Sequence, residues 1–215
     1  MYKRYRVHVA ACVVMVVLMM AASASAQNVI VNPSFETGPT GGYPSSWLAY
    51  GNVVTVRNSS PQYVAYEGTK MVALNGNDSG PYNVSALYQE FSSNPGDEWM
   101  LSAMSRHWSG DPMIGNASTG NYMVQRIAFK DATDALIDYT EAIILDGTFA
   151  TDTWIANEAI SAIAPEGTVQ VEALIMYVQA DTDGGEGQVD YVEFIYCGVV
   201  AVEESSWGAI KSLYD

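Results

Sequence analysis

The chain has few of the residues that build disulfides and histidine-based sites. It contains two cysteines and two histidines in 215 residues. Cys12 and His8 lie in the first 26 residues, which carry the signal-peptide pattern described below. Cys197 then has no intramolecular partner and His107 is a single histidine, which excludes a disulfide framework and a multi-histidine metal centre. Nucleophilic catalysis of the Ser-His type has only His107 to draw on.

Basic side chains are also scarce. Nine Lys and Arg residues stand against 24 Asp and Glu residues, which gives a net charge of −15 at pH 7. Nucleic acid is therefore a poor partner, because its phosphates need a basic surface. Hydrophobic residues make up 49% of the chain and charged residues 15%, so the composition is that of a folded domain.

Long hydrophobic runs are absent after residue 26. Before it, residues 9–22 form an apolar run that follows three basic residues and ends in Ala-Ser-Ala. This pattern predicts a secretory signal peptide over residues 1–26 and a protein that is secreted or held at the cell surface, without stable insertion in a membrane. Its removal takes away three basic residues and no acidic one, so the net charge changes from −15 to −18.

Short runs rich in Val, Ile, Tyr, Phe and Trp alternate with Gly, Pro, Asn and Asp clusters from residue 27 onward, which is typical of antiparallel strands. No sustained helical period interrupts them. Strands without intervening helices must bury their faces against one another, so we predict an all-β, two-sheet antiparallel sandwich over residues 27–197. The predicted strands are 29–32, 53–57, 71–74, 86–92, 98–108, 122–131, 142–145, 153–161, 168–178 and 188–196.

The pattern changes at the C-terminus, where we predict a tail over residues 198–215. Ser205 or Ser206 is placed to cap a short amphipathic helix with Trp207, Ile210 and Tyr214 on one side. Similar endings on exported bacterial proteins suggest a sorting or cell-surface docking role. A helix that folds back on the sandwich is an equal alternative.

Seven motifs occur in order along the chain from residue 32 to residue 192. They are Asn32-Pro33-Ser34-Phe35-Glu36-Thr37-Gly38, Pro44-Ser45-Ser46-Trp47 and the segments 67–74, 95–103, 129–132, 164–168 and 187–192. In this order they resemble secreted carbohydrate-binding modules of the family 4/9 type, which have a galactose-binding-like jelly roll. The resemblance implies a non-catalytic module that binds a polysaccharide or glycan on a concave sheet face.

The resemblance also implies a structural calcium ion. Calcium prefers about six to eight oxygen ligands. The matching positions offer carboxylates from Glu36, Glu67 and Asp190, with backbone carbonyls from Ser34 and Lys70. The alternative is that these acids are ordinary surface residues.

A sugar-binding face needs aromatic side chains for the sugar C–H surface and polar side chains for the hydroxyls. Side chains alternate along the predicted strand 98–108, so Trp99, Leu101 and Ala103 share the face that we assign to the core. Arg106 and Trp108 fall on the opposite face and are the leading ligand candidates. Gln89 joins them from the preceding strand, with Tyr82 and Tyr122 from flanking loops. For each aromatic residue, packing in the core is an alternative role.

The binding module has two functional alternatives. The first is a structural or adhesion protein of the cell surface with the same fold. The second is a glycoside hydrolase, because such enzymes need two suitably spaced carboxylates and the chain has many acidic residues. No motif marks such a pair, so catalysis ranks third and no catalytic residue is predicted.

Overall fold

The computed structural model describes residues 27–58, 60–76, 82–180 and 184–199. The predicted signal peptide and the predicted C-terminal helix lie outside these residues. The last described strand continues to Val199 and so passes the predicted domain end at residue 197. In this part of the chain, no helix is long and apolar enough to cross a lipid bilayer.

Two antiparallel sheets form a sandwich, and the described residues contain strands and turns without helix, which confirms the predicted fold class. The strands are β1 (Leu48–Tyr50), β2 (Asn52–Arg57), β3 (Lys70–Asn75), β4 (Asn83–Ser92), β5 (Asp97–Arg106), β6 (Tyr122–Lys130), β7 (Leu136–Asp146), β8 (Ile155–Ala156), β9 (Ile160–Ile163), β10 (Gln170–Gln179) and β11 (Glu186–Val199). The five-stranded sheet has the order β1-β4-β10-β6-β7. The other sheet has the order β2-β3-β11-β5-β8, with β9 also paired to β5.

The core between the sheets follows from side-chain alternation. Along β5, Trp99, Leu101 and Ala103 are buried, as predicted. Phe35, Phe129 and Val189 are also in this core and are at most 2% exposed.

Trp99 is the main aromatic contact of this core. Its ring stacks on Phe194 with a centroid distance of 4.7 Å and an interplanar angle of 10°. Its indole N–H donates to Ser93 Oγ at 3.0 Å, so the polar atom of the buried ring is satisfied.

Two predicted strands are broken up in the structure, the predicted strand 142–145 begins already at Leu136 in β7, and β1 was not predicted. The predicted strand 153–161 is split into β8 and β9, which pair with different parts of β5. Between them, the Asn157 side-chain amide donates to Ala103 O and Ser105 Oγ, at 2.8 and 2.9 Å, and the Asn157 backbone N–H also donates to Ala103 O, at 3.3 Å. The predicted strand 29–32 is reduced to an isolated bridge from Asn28 to Ile195.

We predict that Trp99→Ala lowers the free energy of unfolding by about 3–5 kcal/mol, because it removes a large buried ring from the core. Tyr82→Ala is the matched control, since Tyr82 is 67% exposed and its loss should change stability by less than about 0.5 kcal/mol. Urea unfolding followed by far-UV circular dichroism measures the stability of both variants without relying on tryptophan fluorescence. Equal midpoints for the two variants would contradict the assigned core.

Candidate functional site

The outer face of the six-stranded sheet is covered by the loop 60–69. The Arg106 guanidinium donates from β5 to Gln62 O at 2.7 Å and to Pro61 O at 3.0 Å. The Gln188 amide donates from β11 to Gln62 O at 2.9 Å. These bonds hold the first half of the loop against the sheet.

The second half of the loop is held by β11 and by aromatic contacts. The Asp190 carboxylate accepts hydrogen bonds from the backbone N–H groups of Tyr66 and Glu67, at 2.8 and 3.0 Å. The Tyr66 ring contacts Trp154 and Tyr191, with centroid distances of 6.1 and 6.0 Å. The protein's own chain therefore occupies the outer surface of this sheet.

The outer face of the five-stranded sheet is different, because it carries a second apolar cluster on the side away from the core. Its members come from the three central strands of the sheet and are Ala86, Val124, Ala128, Leu174 and Met176. A solvent-facing side of an antiparallel sheet is normally polar. An apolar floor at this position is the kind of surface that a ligand covers.

Tyrosine side chains stand around this floor. Tyr50 comes from β1, Tyr82 precedes β4 and Tyr122 begins β6, and together they line a depression of about 200 Å³. Tyr82 is 67% exposed and Tyr50 is 43% exposed, so their rings are accessible. Burial raises the pKa of Tyr50 and of Tyr122, so both phenol groups keep the proton that they can donate in a hydrogen bond.

A charged pair forms one wall of the depression. Arg126 of β6 donates from Nε and Nη2 to Glu141 Oε2 of β7, at 2.8 and 2.5 Å. These two residues are direct cross-strand partners. The guanidinium also lies over the Tyr139 ring, 4.4 Å from its centroid. The two contacts fix the Arg126 guanidinium beside the apolar floor, where its remaining N–H groups can donate hydrogen bonds.

The structure brings together only two of the five predicted ligand residues, Tyr82 and Tyr122. Gln89 faces the sandwich interior instead, where its amide exchanges two hydrogen bonds with the backbone of Val31, at 3.1 and 2.7 Å. Odd-numbered residues of β4, such as Leu87, point toward the core, and Gln89 shares their side of the strand.

Arg106 and Trp108 lie at the other sheet. Arg106 does fall on the non-core side of β5, as predicted, but it is 2% exposed because the loop 60–69 covers it. The Trp108 ring occupies the space where a Cβ of Gly110 would lie, so it packs on its own turn. Neither side chain lines the depression.

Sequence reasoning missed Tyr50, Arg126, Glu141 and Met176 as residues of this face. One signal for them was present in the sequence. Residues 173–178 form an unbroken apolar run in β10, whereas a strand with one solvated face should alternate. Such a run indicates that both faces of the strand are covered.

The five predicted calcium residues lie in one region, where the N-terminal segment, the turn before β3 and β11 meet. Glu36 Oε1 accepts from the backbone N–H groups of Thr69 and Lys70, both at 2.7 Å. Ser34 Oγ donates to Glu67 Oε2 at 2.5 Å.

Asp190 is fully buried in the same region. Desolvation and, to a smaller extent, the Glu36 charge raise its pKa to about 7, although three backbone hydrogen bonds act to lower it. Lys70 Nζ donates to Gly38 O at 2.7 Å. Among the described residues, no three His, Cys, Asp or Glu side chains are grouped so as to hold a metal ion by themselves. A hard cation bound here would need backbone carbonyl oxygens for much of its coordination shell.

Comparison with known proteins identifies the fold. No known protein family matches the sequence, and no curated protein matches it. The enzymatically active domain of tailspike protein 4 from bacteriophage CBA120 is similar with 17% identity and a TM-score of 0.53, over 79% of this chain and 21% of that chain. The CBM22-1-CBM22-2 tandem domain of Paenibacillus barcinonensis Xyn10C is similar with 12% identity and a TM-score of 0.51. The match covers 85% of this chain and 48% of that chain.

An arabinose-bound α-L-arabinofuranosidase, MgGH51, is similar with 11% identity and a TM-score of 0.54, over 82% of this chain and 28% of that chain. Carbohydrate-binding modules of families 61, 16 and 22 are also among the matched structures. At these identities the likeness shows a shared β-sandwich fold. The chain spans at most about half the length of the three structures described in detail.

We predict that Arg106→Ala destabilises the fold by about 1–3 kcal/mol, because the loop carbonyls of Pro61 and Gln62 lose their buried donor. Arg126→Ala is the matched control and should cost less than about 1 kcal/mol, since the pair with Glu141 is partly exposed. Urea unfolding gives the stabilities, and limited proteolysis within residues 60–69 reports on the loop. A loop that stays protected in Arg106→Ala would contradict the role of this side chain.

Proposed function

We propose that the protein is an exported, non-catalytic carbohydrate-binding module that holds a polysaccharide on the outer face of the five-stranded sheet. The observation that carries the proposal is the apolar floor of that face with Tyr50, Tyr82 and Tyr122 around it. The other sheet offers no comparable surface within the described residues, because the loop 60–69 lies over it.

The chemistry of the depression suits a sugar ring. Tyrosine rings present flat apolar faces to the C–H surface of a pyranose, while their hydroxyl groups bind sugar hydroxyls at the edge. Arg126 supplies N–H donors and Glu141 supplies an acceptor oxygen on one wall. An apolar site with a few fixed polar groups is the usual composition of a small-molecule pocket.

The charges of this face favour a neutral polymer. Arg126 is paired with Glu141, and Lys130 is paired with Glu172 and Asp134. The whole chain carries a net charge of −15, so an anionic polysaccharide would be repelled at long range. Stacking on tyrosine does not depend on net charge, and it remains available for a neutral glycan.

The similar structures support a carbohydrate-related role without deciding it. They include carbohydrate-binding modules, and the sequence motifs resemble the family 4/9 type in particular. The tailspike domain and the arabinofuranosidase are much longer than the part that this chain matches. A cell-surface structural protein with the same fold is the alternative that a lack of binding would favour.

We predict that Tyr122→Ala weakens polysaccharide binding by about 1–3 kcal/mol, because it removes one aromatic wall of the depression. Tyr50→Ala should have a similar effect. Affinity electrophoresis across glucans, xylans, mannans and galactans measures the loss as reduced retardation of the band.

Trp108→Ala is the control for this experiment, because Trp108 lies outside the depression and should leave binding intact. Loss of retardation in Trp108→Ala with full binding in Tyr122→Ala would place the site on the other sheet. If no polymer retards the wild-type protein, the structural alternative takes first place.

We also propose that calcium binds in the region of Glu36, Glu67 and Asp190, with backbone carbonyls of Ser34 and Lys70 as further ligands. The support is a set of oxygen donors around a buried carboxylate whose pKa is about 7. A bound cation would favour the ionised form of Asp190 and neutralise the acidic charge around it. It would thereby tie the N-terminal segment to β11.

The pH dependence of stability tests this proposal. With a chelator present, the free energy of unfolding should fall as the pH rises from about 4 to about 7. Folded Asp190 keeps its proton up to a pKa of about 7, whereas the ordinary value is 3.8, so the folded state binds the extra proton in this range. Saturating calcium should remove most of this fall, because the cation replaces the proton. Urea midpoints measured with calcium and with chelator give the comparison.

Glu67→Gln and Asp190→Ala should both reduce the response to calcium. Magnesium is the control ion, because its smaller octahedral shell suits a carbonyl-rich site less well. Identical midpoints with calcium and with chelator at every pH would remove the calcium proposal.

A further inference from the structure

A second cavity lies at one open edge of the sandwich, between the edge strands of the two sheets. It has a volume of about 310 Å³ and is bounded by β7 on one side and by the segment 155–158 on the other. Its lining includes Gln125, Ile143, Phe149 and Ile155. None of its lining residues belongs to the tyrosine-lined depression. The cavity is therefore a separate feature of the molecule.

Gln125 gives this cavity an unused hydrogen-bond acceptor. The side chain is fully buried, and its Nε2 donates to Glu158 O at 2.7 Å. Its Oε1 is buried without a hydrogen-bond partner. Because Nε2 is fixed on a carbonyl oxygen, the amide cannot be turned over without losing that bond. A buried acceptor in this state needs a donor from a water molecule or from a ligand.

The remaining wall of the cavity is largely apolar. Ile143 is 48% exposed, and Phe149 and Ile155 are partly buried residues that pack at the margin of the core. The Asn157 amide nitrogen is already committed to Ala103 O and Ser105 Oγ. The cavity thus combines an aromatic and aliphatic wall with a buried, unpaired acceptor at Gln125 Oε1, and the exposed Glu158 also lines it.

We propose that this cavity is a second binding site, which takes a single neutral sugar unit. A hydroxyl group of the ligand would donate to Gln125 Oε1, and its C–H face would cover Phe149 and Ile143. The cavity is about ten times the volume of about 30 Å³ that a water molecule occupies in the liquid, so one water would satisfy Gln125 but leave the apolar wall exposed. A purely apolar ligand would leave the acceptor unpaired, and an anion would have no cation among the lining residues.

This site is independent of the polysaccharide face, and the two can be tested separately. The uniformly ¹⁵N-labelled full chain is titrated with glucose, galactose, mannose, xylose and arabinose, one at a time, and followed by NMR. We expect at least one sugar to cause saturable shifts in the Gln125 side-chain amide and in the backbone amides of Phe149, Ile155 and Asn157. Tyr122→Ala is the control that alters only the sheet face, and its titration at this cavity should be unchanged.

Gln125→Met is the decisive variant, because it keeps the side-chain volume and removes the acceptor. We expect its affinity for the sugar to fall at least tenfold. Phe149→Ala removes the aromatic wall at a partly exposed position and should weaken sugar binding several-fold. If Gln125→Met does not fold, Phe149→Ala alone tests the proposal. The proposal is overturned if no sugar shifts these resonances, as for a cavity that holds only water, or if the two variants bind as the wild type does.

Discussion

The buried guanidinium of Arg106 holds the loop that covers one face of the sandwich. Its bonds to Pro61 O and Gln62 O fasten the loop 60–69 over the six-stranded sheet, and Gln188 and Asp190 extend the attachment along β11. With that face occupied by the protein itself, the apolar outer surface of the five-stranded sheet is the one that remains for a partner. The location of the candidate site thus depends on a polar contact far from it.

Hydrogen bonds from side chains to the backbone join distant segments of the described chain, in which Cys197 is free. Asn28 bonds Val192 O and the Phe194 N–H, which joins the start of the described chain to its last strand. Gln89 holds Val31 in the same manner from the five-stranded sheet. Such contacts stabilise the fold only when every partner is satisfied. Gln125 Oε1 is an exception to this pattern, and it lies at a cavity.

Alternation along the strands was sufficient to predict the core but not the site. The burial of Trp99, Leu101 and Ala103 follows from their shared parity on β5. The same parity places Arg106 on the outer face, and that assignment is correct as well. Parity distinguishes the two faces of one strand, yet it carries no information about which sheet the strand joins or what covers that sheet. Parity therefore placed Arg106 on the outer side of β5 but could not show that the loop 60–69 covers it there.

The sequence by itself determined the all-β class and the core residues of β5, because periodicity is a local property of the chain. The proximity of Glu36, Glu67 and Asp190 was implied by the family resemblance and by no local pattern. Only the tertiary structure decided that Tyr50, Tyr82 and Tyr122 stand around one depression and that Gln125 faces a cavity. Those residues are distant in sequence and meet through the pairing order of the strands. Pairing order and loop placement result from long-range contacts, which no local pattern encodes.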